Sequence, residues 1–124
     1  MIITVCKKFR FDAAHYLPNY KGKCHNLHGH GWVLEVEVSG EVSMESGLVL
    51  DFSTLKEIVQ PVINCLDHSN LNDILSNPTC ENILEYLWIN LGTKIGYEIE
   101  GNLNLSRLRL YETPDSYAEV KGDD

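Results

Sequence analysis

The chain has 124 residues, 44% of them hydrophobic, and a formal net charge of −8. This length and composition suit one folded domain, which we place at residues 1–124. The acidic balance argues against nucleic acid as a partner, because nucleic-acid binding depends on a basic surface. No apolar run reaches the roughly 18 residues of a membrane-spanning helix, so no membrane partner is expected.

The N-terminus and the cysteines indicate the compartment. Residues 1–8 lack the charged and then apolar order of a signal peptide. The chain has four cysteines and no Cys-x-x-Cys pair. Without an export signal these thiols are expected to be reduced. We therefore expect a cytoplasmic protein.

Three extended segments are predicted in the first half of the chain. In residues 2–15 the odd positions are mostly apolar and the even positions more polar, which is typical of a half-buried strand. In residues 28–40 the even positions are the mostly apolar ones, and this alternation predicts a second strand. Residues 16–27, which include Pro18, are predicted to form the loop between them. Residues 48–50 are expected to be a short extended piece.

The first helix is predicted to open within residues 51–54. Ser53 or Thr54 is its expected cap, and Thr54 with Glu57 fits a capping box. Pro61 removes one helical hydrogen-bond donor and is expected to bend or break the helix locally. Apolar residues recur at helical spacing at Leu55, Ile58, Val59, Val62, Ile63 and Leu66.

The second half adds one helix and two strands. The helix is predicted to start at Pro78 or Thr79 and to end at Gly92 or Gly96. Residues 103–112 and 116–121 are predicted to be strands. The order β-β-α-α-β-β predicts an α+β domain, with a four-stranded antiparallel sheet and two helices on one face. Both sheet edges would be free to pair with further copies of the chain in a ring.

Three histidines form the first candidate site. His28 and His30 are two residues apart on one face of the second strand, and His15 lies on the apolar face of the first. Three convergent imidazoles predict a metal site with one open position, as in catalytic zinc centres. Zinc is our first choice, and imidazole ligands alone leave nickel, copper and iron open.

A thiol and an Asp-His pair are the next candidates. Cys24 precedes His28 by four residues. It is either a fourth metal ligand that closes a structural site or a nearby thiolate that acts as a base. Asp67 and His68 follow the first helix. The pair either serves proton transfer or simply places a histidine at a helix C-terminus, where its positive form interacts favourably with the helix dipole.

Two carboxylates remain. Glu112 falls on an otherwise apolar face of the third long strand, beside Leu108 and Leu110. It either accepts hydrogen bonds from the edge of a planar ligand or reaches water at the strand end. Glu81 lies at the start of the second helix, where its carboxylate interacts favourably with the positive end of the helix dipole.

Together these motifs resemble the 6-pyruvoyltetrahydropterin synthase family, and more closely its 6-carboxytetrahydropterin synthase branch. The resemblance implies the tunnelling fold, with three subunits forming a barrel and two trimers stacking into a homohexamer that has active sites between subunits. The substrate would be 7,8-dihydroneopterin triphosphate. The matching segments are Phe11-Asp12-Ala13-Ala14-His15, Cys24-His25-Asn26-Leu27-His28-Gly29-His30, Gly47-Leu48-Val49-Leu50-Asp51-Phe52, Leu66-Asp67-His68, Asn77-Pro78-Thr79-Cys80-Glu81-Asn82 and Tyr111-Glu112-Thr113.

The resemblance also implies a role for each site residue. The implied zinc ligands are His15, His28 and His30. The implied catalytic group is Cys24, Asp67 and His68. The implied anchor of the pterin ring is Glu112, and Thr79 and Glu81 would help to line that pocket.

The branch rests on fewer residues. Three residues separate Cys24 from His28, as in the carboxy-forming branch, which releases acetaldehyde and triphosphate and serves queuosine biosynthesis. Tyr16 stands where many relatives carry a basic residue, so the triphosphate contacts stay open. The alternatives are a pyruvoyl-forming synthase without carbon–carbon cleavage and, in another class, a non-catalytic zinc-stabilised binding protein.

Overall fold

The computed structural model describes residues 1–98 and 103–122. One-turn 3₁₀ helices lie at Lys23–His25 and Leu71–Asp73. The strands and helices are β1 (Ile2–His15), β2 (His28–Glu41), α1 (Phe52–Leu66), β3 (Ser69–Asn70), α2 (Cys80–Glu98), β4 (Asn104–Thr113) and β5 (Ser116–Lys121).

The sheet has the strand order β3-β1-β2-β4-β5. The four predicted strands are confirmed and pair antiparallel, while β3 pairs parallel with β1. The expected four-stranded antiparallel sheet is therefore a mixed sheet of five strands. Two residues are too few to produce an alternating pattern, so β3 could not be found from the sequence.

One face of the sheet packs against both helices. The alternating residues of β1 and β2 bring Phe9, Phe11, Trp32 and Leu34 into one core with buried side chains of α1 and α2. The opposite face carries charged side chains, and there Arg107 pairs with Glu35, Glu37 and Glu119. This division is the two-layer arrangement that the periodicity predicts. Neither helix, within the described residues, has the length and apolarity needed to cross a membrane.

The helix boundaries differ from expectation at both ends. Asp51 caps α1, and its Oδ1 accepts a hydrogen bond from the Ser53 N–H at 2.8 Å, in place of a Ser53 or Thr54 cap. The helix continues through Pro61, which is exposed, so that water can reach the carbonyl that proline leaves without a donor. Helix α2 runs to Glu98, past both candidate glycines. Residues 48–50 are irregular instead of extended.

Candidate metal and active site

The three histidines meet where β1 ends and β2 begins. His15 pairs with His28 in the sheet register, and His30 pairs with Ala13. The ring centroids lie 4.5 Å apart for His15 and His28, 4.9 Å for His28 and His30, and 5.2 Å for His15 and His30. One nitrogen of each ring and one oxygen of Glu112 all lie within 4.8 Å of one another. The alternation of two neighbouring strands thus gathers three imidazoles and a carboxylate.

Main-chain carbonyls orient two of the rings. The Nδ1 atom of His15 lies 2.8 Å from the Pro78 carbonyl oxygen, and that of His28 lies 2.7 Å from the Asn26 carbonyl oxygen. A carbonyl oxygen only accepts hydrogen bonds, so each Nδ1 carries the proton and donates it. Each Nε2 then keeps a free lone pair. Metal-binding histidines are commonly fixed in this way through the second nitrogen.

Two of the imidazole nitrogens indicate what the group can hold. Among the described residues, His15 Nε2 and His30 Nε2 are buried and have no hydrogen-bond partner. A buried polar atom without a partner costs about 1–3 kcal/mol. Three imidazole nitrogens and a carboxylate oxygen gathered within 4.8 Å of one another suit a divalent cation of the zinc type. The residues present therefore fit a metal ion.

The environment favours the ligand form of His30. Burial lowers its pKa below the ordinary value, and the neighbouring imidazoles of His15 and His28 act in the same direction. Glu112 opposes them, with its Oε1 atom 3.3 Å from His30 Nε2. The net effect keeps His30 neutral near pH 7, as a metal ligand must be.

Glu112 also faces a cleft beside the histidines. The cleft has a volume of about 400 Å³, and Glu81 and Cys80 line it together with Ser116, Tyr117 and Ala118. Burial, followed by the charge of Glu112, raises the pKa of the Cys80 thiol to about 12. Cys80 therefore contributes a neutral wall, and its thiol donates to the Leu110 carbonyl oxygen at 3.4 Å. The cleft offers two carboxylates to a ligand with several N–H donors.

Thr79 has a structural role at the entrance to α2. Its Oγ1 accepts a hydrogen bond from the Asn82 N–H at 3.1 Å, as an N-cap does. The Asn82 side chain also donates to the Asn77 carbonyl oxygen at 2.9 Å. Thr79 is not among the residues that line the cleft. The loop that it closes carries Pro78, which orients His15.

Asp67 and His68 are tied to the main chain of β1. Asp67 Oδ1 accepts from the Asp12 N–H at 2.9 Å, and the His68 N–H donates to the Asp12 carbonyl oxygen at 2.6 Å. The same Asp67 oxygen lies 3.0 Å from His68 Nδ1. The Asp12 N–H, followed by His68, lowers the pKa of Asp67, while burial opposes them. His68 has a φ of 57°, which is rare outside glycine, and its side chain is 79% exposed.

Within one chain, the predicted catalytic residues do not form a single cluster. Asp67 and His68 group with Asp12, whose position on β1 faces away from that of His15. Cys24 lies half-buried in the one-turn helix Lys23–His25 and belongs to neither group of ligand atoms among the described residues. The fourth potential ligand beside the histidines is Glu112 in place of Cys24. The sequence does not reveal the roles of the Pro78 and Asn26 carbonyls, because every residue has a main-chain carbonyl and none is marked by residue type.

The comparisons with known proteins agree on one family. Residues 4–123 match the family described as 6-pyruvoyl tetrahydropterin synthase. A relative in Haemophilus influenzae, named 6-carboxy-5,6,7,8-tetrahydropterin synthase, is 33% identical over 146 aligned positions, covering 97% of this chain and 99% of its own. A relative in Pyrococcus furiosus, named dihydroneopterin monophosphate aldolase, is 45% identical over 111 residues and 90% of each chain. The structure of Caenorhabditis elegans 6-pyruvoyl tetrahydropterin synthase superposes with a TM-score of 0.87 at 29% identity, covering 99% of this chain and 97% of that one.

Proposed function

Because the chain belongs to the 6-pyruvoyl tetrahydropterin synthase family, we propose that it is a zinc-dependent 6-carboxytetrahydropterin synthase. It would convert 7,8-dihydroneopterin triphosphate and water to 6-carboxy-5,6,7,8-tetrahydropterin, acetaldehyde and triphosphate, in queuosine precursor biosynthesis. The observation that carries the proposal is the pair of buried nitrogens of His15 and His30 that lack a hydrogen-bond partner within residues 1–98 and 103–122, beside Glu112 and its cleft. The name of the Haemophilus influenzae relative supports the carboxy-forming branch.

The proposed division of roles separates metal from substrate. His15, His28 and His30 would hold the zinc ion. Zinc bound there supplies Lewis acidity to the oxygens of the substrate side chain. Glu112 would accept hydrogen bonds from the amidine-like edge of the pterin ring, and Glu81 presents a second carboxylate to the same cleft.

Proton transfer is proposed for the remaining residues. Cys24 as thiolate would take a proton from a carbon of the substrate side chain. His68, oriented by Asp67 at 3.0 Å, would give or take a second proton. Loss of triphosphate and cleavage of one carbon–carbon bond, with water as co-reactant, then yield the carboxypterin and acetaldehyde.

The separation of these groups favours an assembled active site. In one chain, the ligand atoms of Asp67 and His68 group with Asp12 and not with the three histidines, so a neighbouring subunit would bring its own pair to complete the histidine site. Strand β5 is a free edge, and β3 covers β1 only at Ala13 and Ala14 among the described residues. Free edges of this length favour pairing between copies. We therefore propose a homohexamer of two stacked trimers, which sedimentation should detect at about six times the chain mass of 14.1 kDa.

A product assay tests the proposed reaction. Zinc-loaded protein is incubated with 7,8-dihydroneopterin triphosphate, and the pterin products and acetaldehyde are quantified. A carboxypterin with an equal amount of acetaldehyde is expected. A pyruvoyl product without acetaldehyde would contradict the carboxy-forming assignment and support the pyruvoyl-forming one.

One relative favours a second candidate. The Pyrococcus furiosus protein, at 45% identity, is named dihydroneopterin monophosphate aldolase. Aldol cleavage of that substrate would break the bond between the first two side-chain carbons and release a hydroxymethyl pterin and glycolaldehyde phosphate. The same assay with the monophosphate separates the two candidates. Turnover of the monophosphate alone would establish the aldolase.

A further inference from the structure

The side-chain amide of Asn72 pairs with the main chain immediately after His15. The Tyr16 N–H donates to Asn72 Oδ1 at 2.9 Å, and Asn72 Nδ2 donates to the Tyr16 carbonyl oxygen at 2.9 Å. A side-chain amide that both accepts from and donates to one residue imitates a neighbouring strand. It extends the parallel pairing of β1 and β3, which otherwise ends at Ala14 and Asn70.

Asn72 is itself held in place. Its N–H donates to Asn70 Oδ1 at 3.0 Å, and it follows Leu71, which is 1% exposed in the core. The 3₁₀ turn closes through the Ile74 N–H, which donates to the Leu71 carbonyl oxygen at 3.0 Å. The amide is therefore presented to Tyr16 from an anchored turn, with little freedom left to lose.

Tyr16 lies between a proposed metal ligand and the proposed thiol base. On one side is His15, whose ring is fixed by the Pro78 carbonyl. On the other side, the Leu17 N–H donates to the Cys24 carbonyl oxygen at 2.8 Å and closes the loop that carries the thiol. A shift of the Tyr16 peptide would therefore move both the end of β1 and the base of this loop.

We propose that Asn72 is a positioning residue that fixes His15 and the Cys24 loop relative to each other. This inference rests on the proposed function, in which His15 binds zinc and Cys24 is a base. It assigns to Asn72 a role in metal affinity and thiol placement beyond the stability of a strand end. Mutation of a residue that orients a metal ligand typically lowers metal affinity by about 10–100-fold. Because Asn72 acts through the main chain, we expect its loss to lower the affinity by the smaller of these factors.

The test compares Asn72→Ala and Asn72→Asp with wild type as full-length protein. Zinc affinity is measured by chelator competition, and ligand geometry by the visible spectrum of the Co²⁺-substituted protein. Asn72→Ala should weaken zinc binding about tenfold and alter the Co²⁺ spectrum. Asn72→Asp keeps the acceptor for the Tyr16 N–H and loses the donor, so a smaller loss is expected. Alkylation of Cys24, resolved by peptide mass spectrometry from the other three cysteines, should also change in rate.

Two control variants separate positioning from stability. Asn64→Ala removes an amide on α1 that pairs with Gln60, and should match wild type in all three measurements. Val59→Ala destabilises the core at a 0% exposed position that is not itself a proposed metal, catalytic or positioning residue. If Val59→Ala weakens zinc binding as much as Asn72→Ala does, the inference is overturned, because general destabilisation then explains the loss.

The remaining outcomes are also decisive. Wild-type protein that binds no metal would overturn the proposed function itself, before any variant is compared. Wild-type protein that binds zinc, with a folded Asn72→Ala of equal affinity and unchanged Co²⁺ spectrum, would overturn only the role of Asn72. If Asn72→Ala does not fold, Asn72→Asp is judged by the same criteria.

Discussion

The ring of His15 donates a hydrogen bond of 2.8 Å to the carbonyl oxygen of Pro78, 63 residues further along the chain. Pro78 lies in the loop that leads into α2, and α2 begins with the cleft residues Cys80 and Glu81. The orientation of a proposed metal ligand and the wall of the proposed pterin cleft are therefore set by one short loop. Variants of this loop should affect both sites.

Thr79→Ala is expected to destabilise the protein through that loop. It removes the Oγ1 acceptor of the Asn82 N–H, and losing such a cap costs about 1 kcal/mol. Urea unfolding should show this decrease in the free energy of unfolding, and Thr79→Ser, which keeps the oxygen, should restore most of it. Unchanged stability together with lost substrate binding would contradict the capping role and support direct contact with the substrate.

Cys24→Ala distinguishes a base from a metal ligand. Since Glu112, and not Cys24, joins the three histidines, the variant should keep its zinc and its melting temperature while turnover falls by about 10²–10⁴-fold, the range of general-base catalysis. Zinc content, thermal unfolding and acetaldehyde release check this. Cys65→Ala, on the exposed side of α1, is the matched control. Loss of zinc and melting of the Cys24 variant would establish the closed structural site and a non-catalytic protein.

The histidine cluster was predictable because strand geometry is fixed by covalent structure. Side chains alternate with a period of two, so His28 and His30 had to share a face, and His15 had to share the apolar face of β1. The register that places His15 opposite His28 was not predictable from either strand alone. It follows from the length of the loop between them and from the packing of Phe11 and Trp32.

Most of the remaining features depend on contacts between distant segments. β3 forms next to β1 because Asp67 and His68 bind the main chain of Asp12. Asp12 and Asp67 are 55 residues apart in the sequence. The choice of Asp51 over Ser53 as the cap depends on the extended backbone of Asp51, with φ −70° and ψ 128°. The Asp51 cap is local, and aspartate is a preferred N-cap residue, so the sequence offered it as a third candidate beside Ser53 and Thr54. The contacts to Asp12, in contrast, leave no local pattern in the sequence. The separation of Asp67 and His68 from the histidines likewise follows only from the three-dimensional arrangement.

Asp67 should contribute to the pH dependence of stability. The Asp12 N–H and His68 lower its folded-state pKa, so its unfolded pKa, about 3.9, is the higher of the two. Its stabilising effect is then present above about pH 3.9 and is lost as pH falls through the folded value. Asp67→Asn should therefore be less stable than wild type at neutral pH, and the difference should shrink on acidification.

Urea unfolding of both proteins from neutral pH into the acid range checks the sign. Asp73→Asn, at an exposed carboxylate in the neighbouring 3₁₀ turn, is the control for the general effect of removing one negative charge. A difference between wild type and Asp67→Asn that stays constant across the range would show that the carboxylate is not stabilised by Asp12 and His68.

Glu112→Gln tests whether the carboxylate anchors substrate or binds metal. The amide keeps the shape of the side chain but loses the charge that would accept hydrogen bonds from the pterin edge. A hydrogen bond to a charged group is worth about 1.5–3 kcal/mol, so kcat/KM should fall by about 10–150-fold with zinc content unchanged. The control is Glu85→Gln, which removes an exposed carboxylate on α2 one turn after Glu81. Because Glu112 Oε1 lies 3.3 Å from His30 Nε2, a loss of zinc in Glu112→Gln would instead make this carboxylate a fourth ligand, and the pterin anchor would then have to be Glu81.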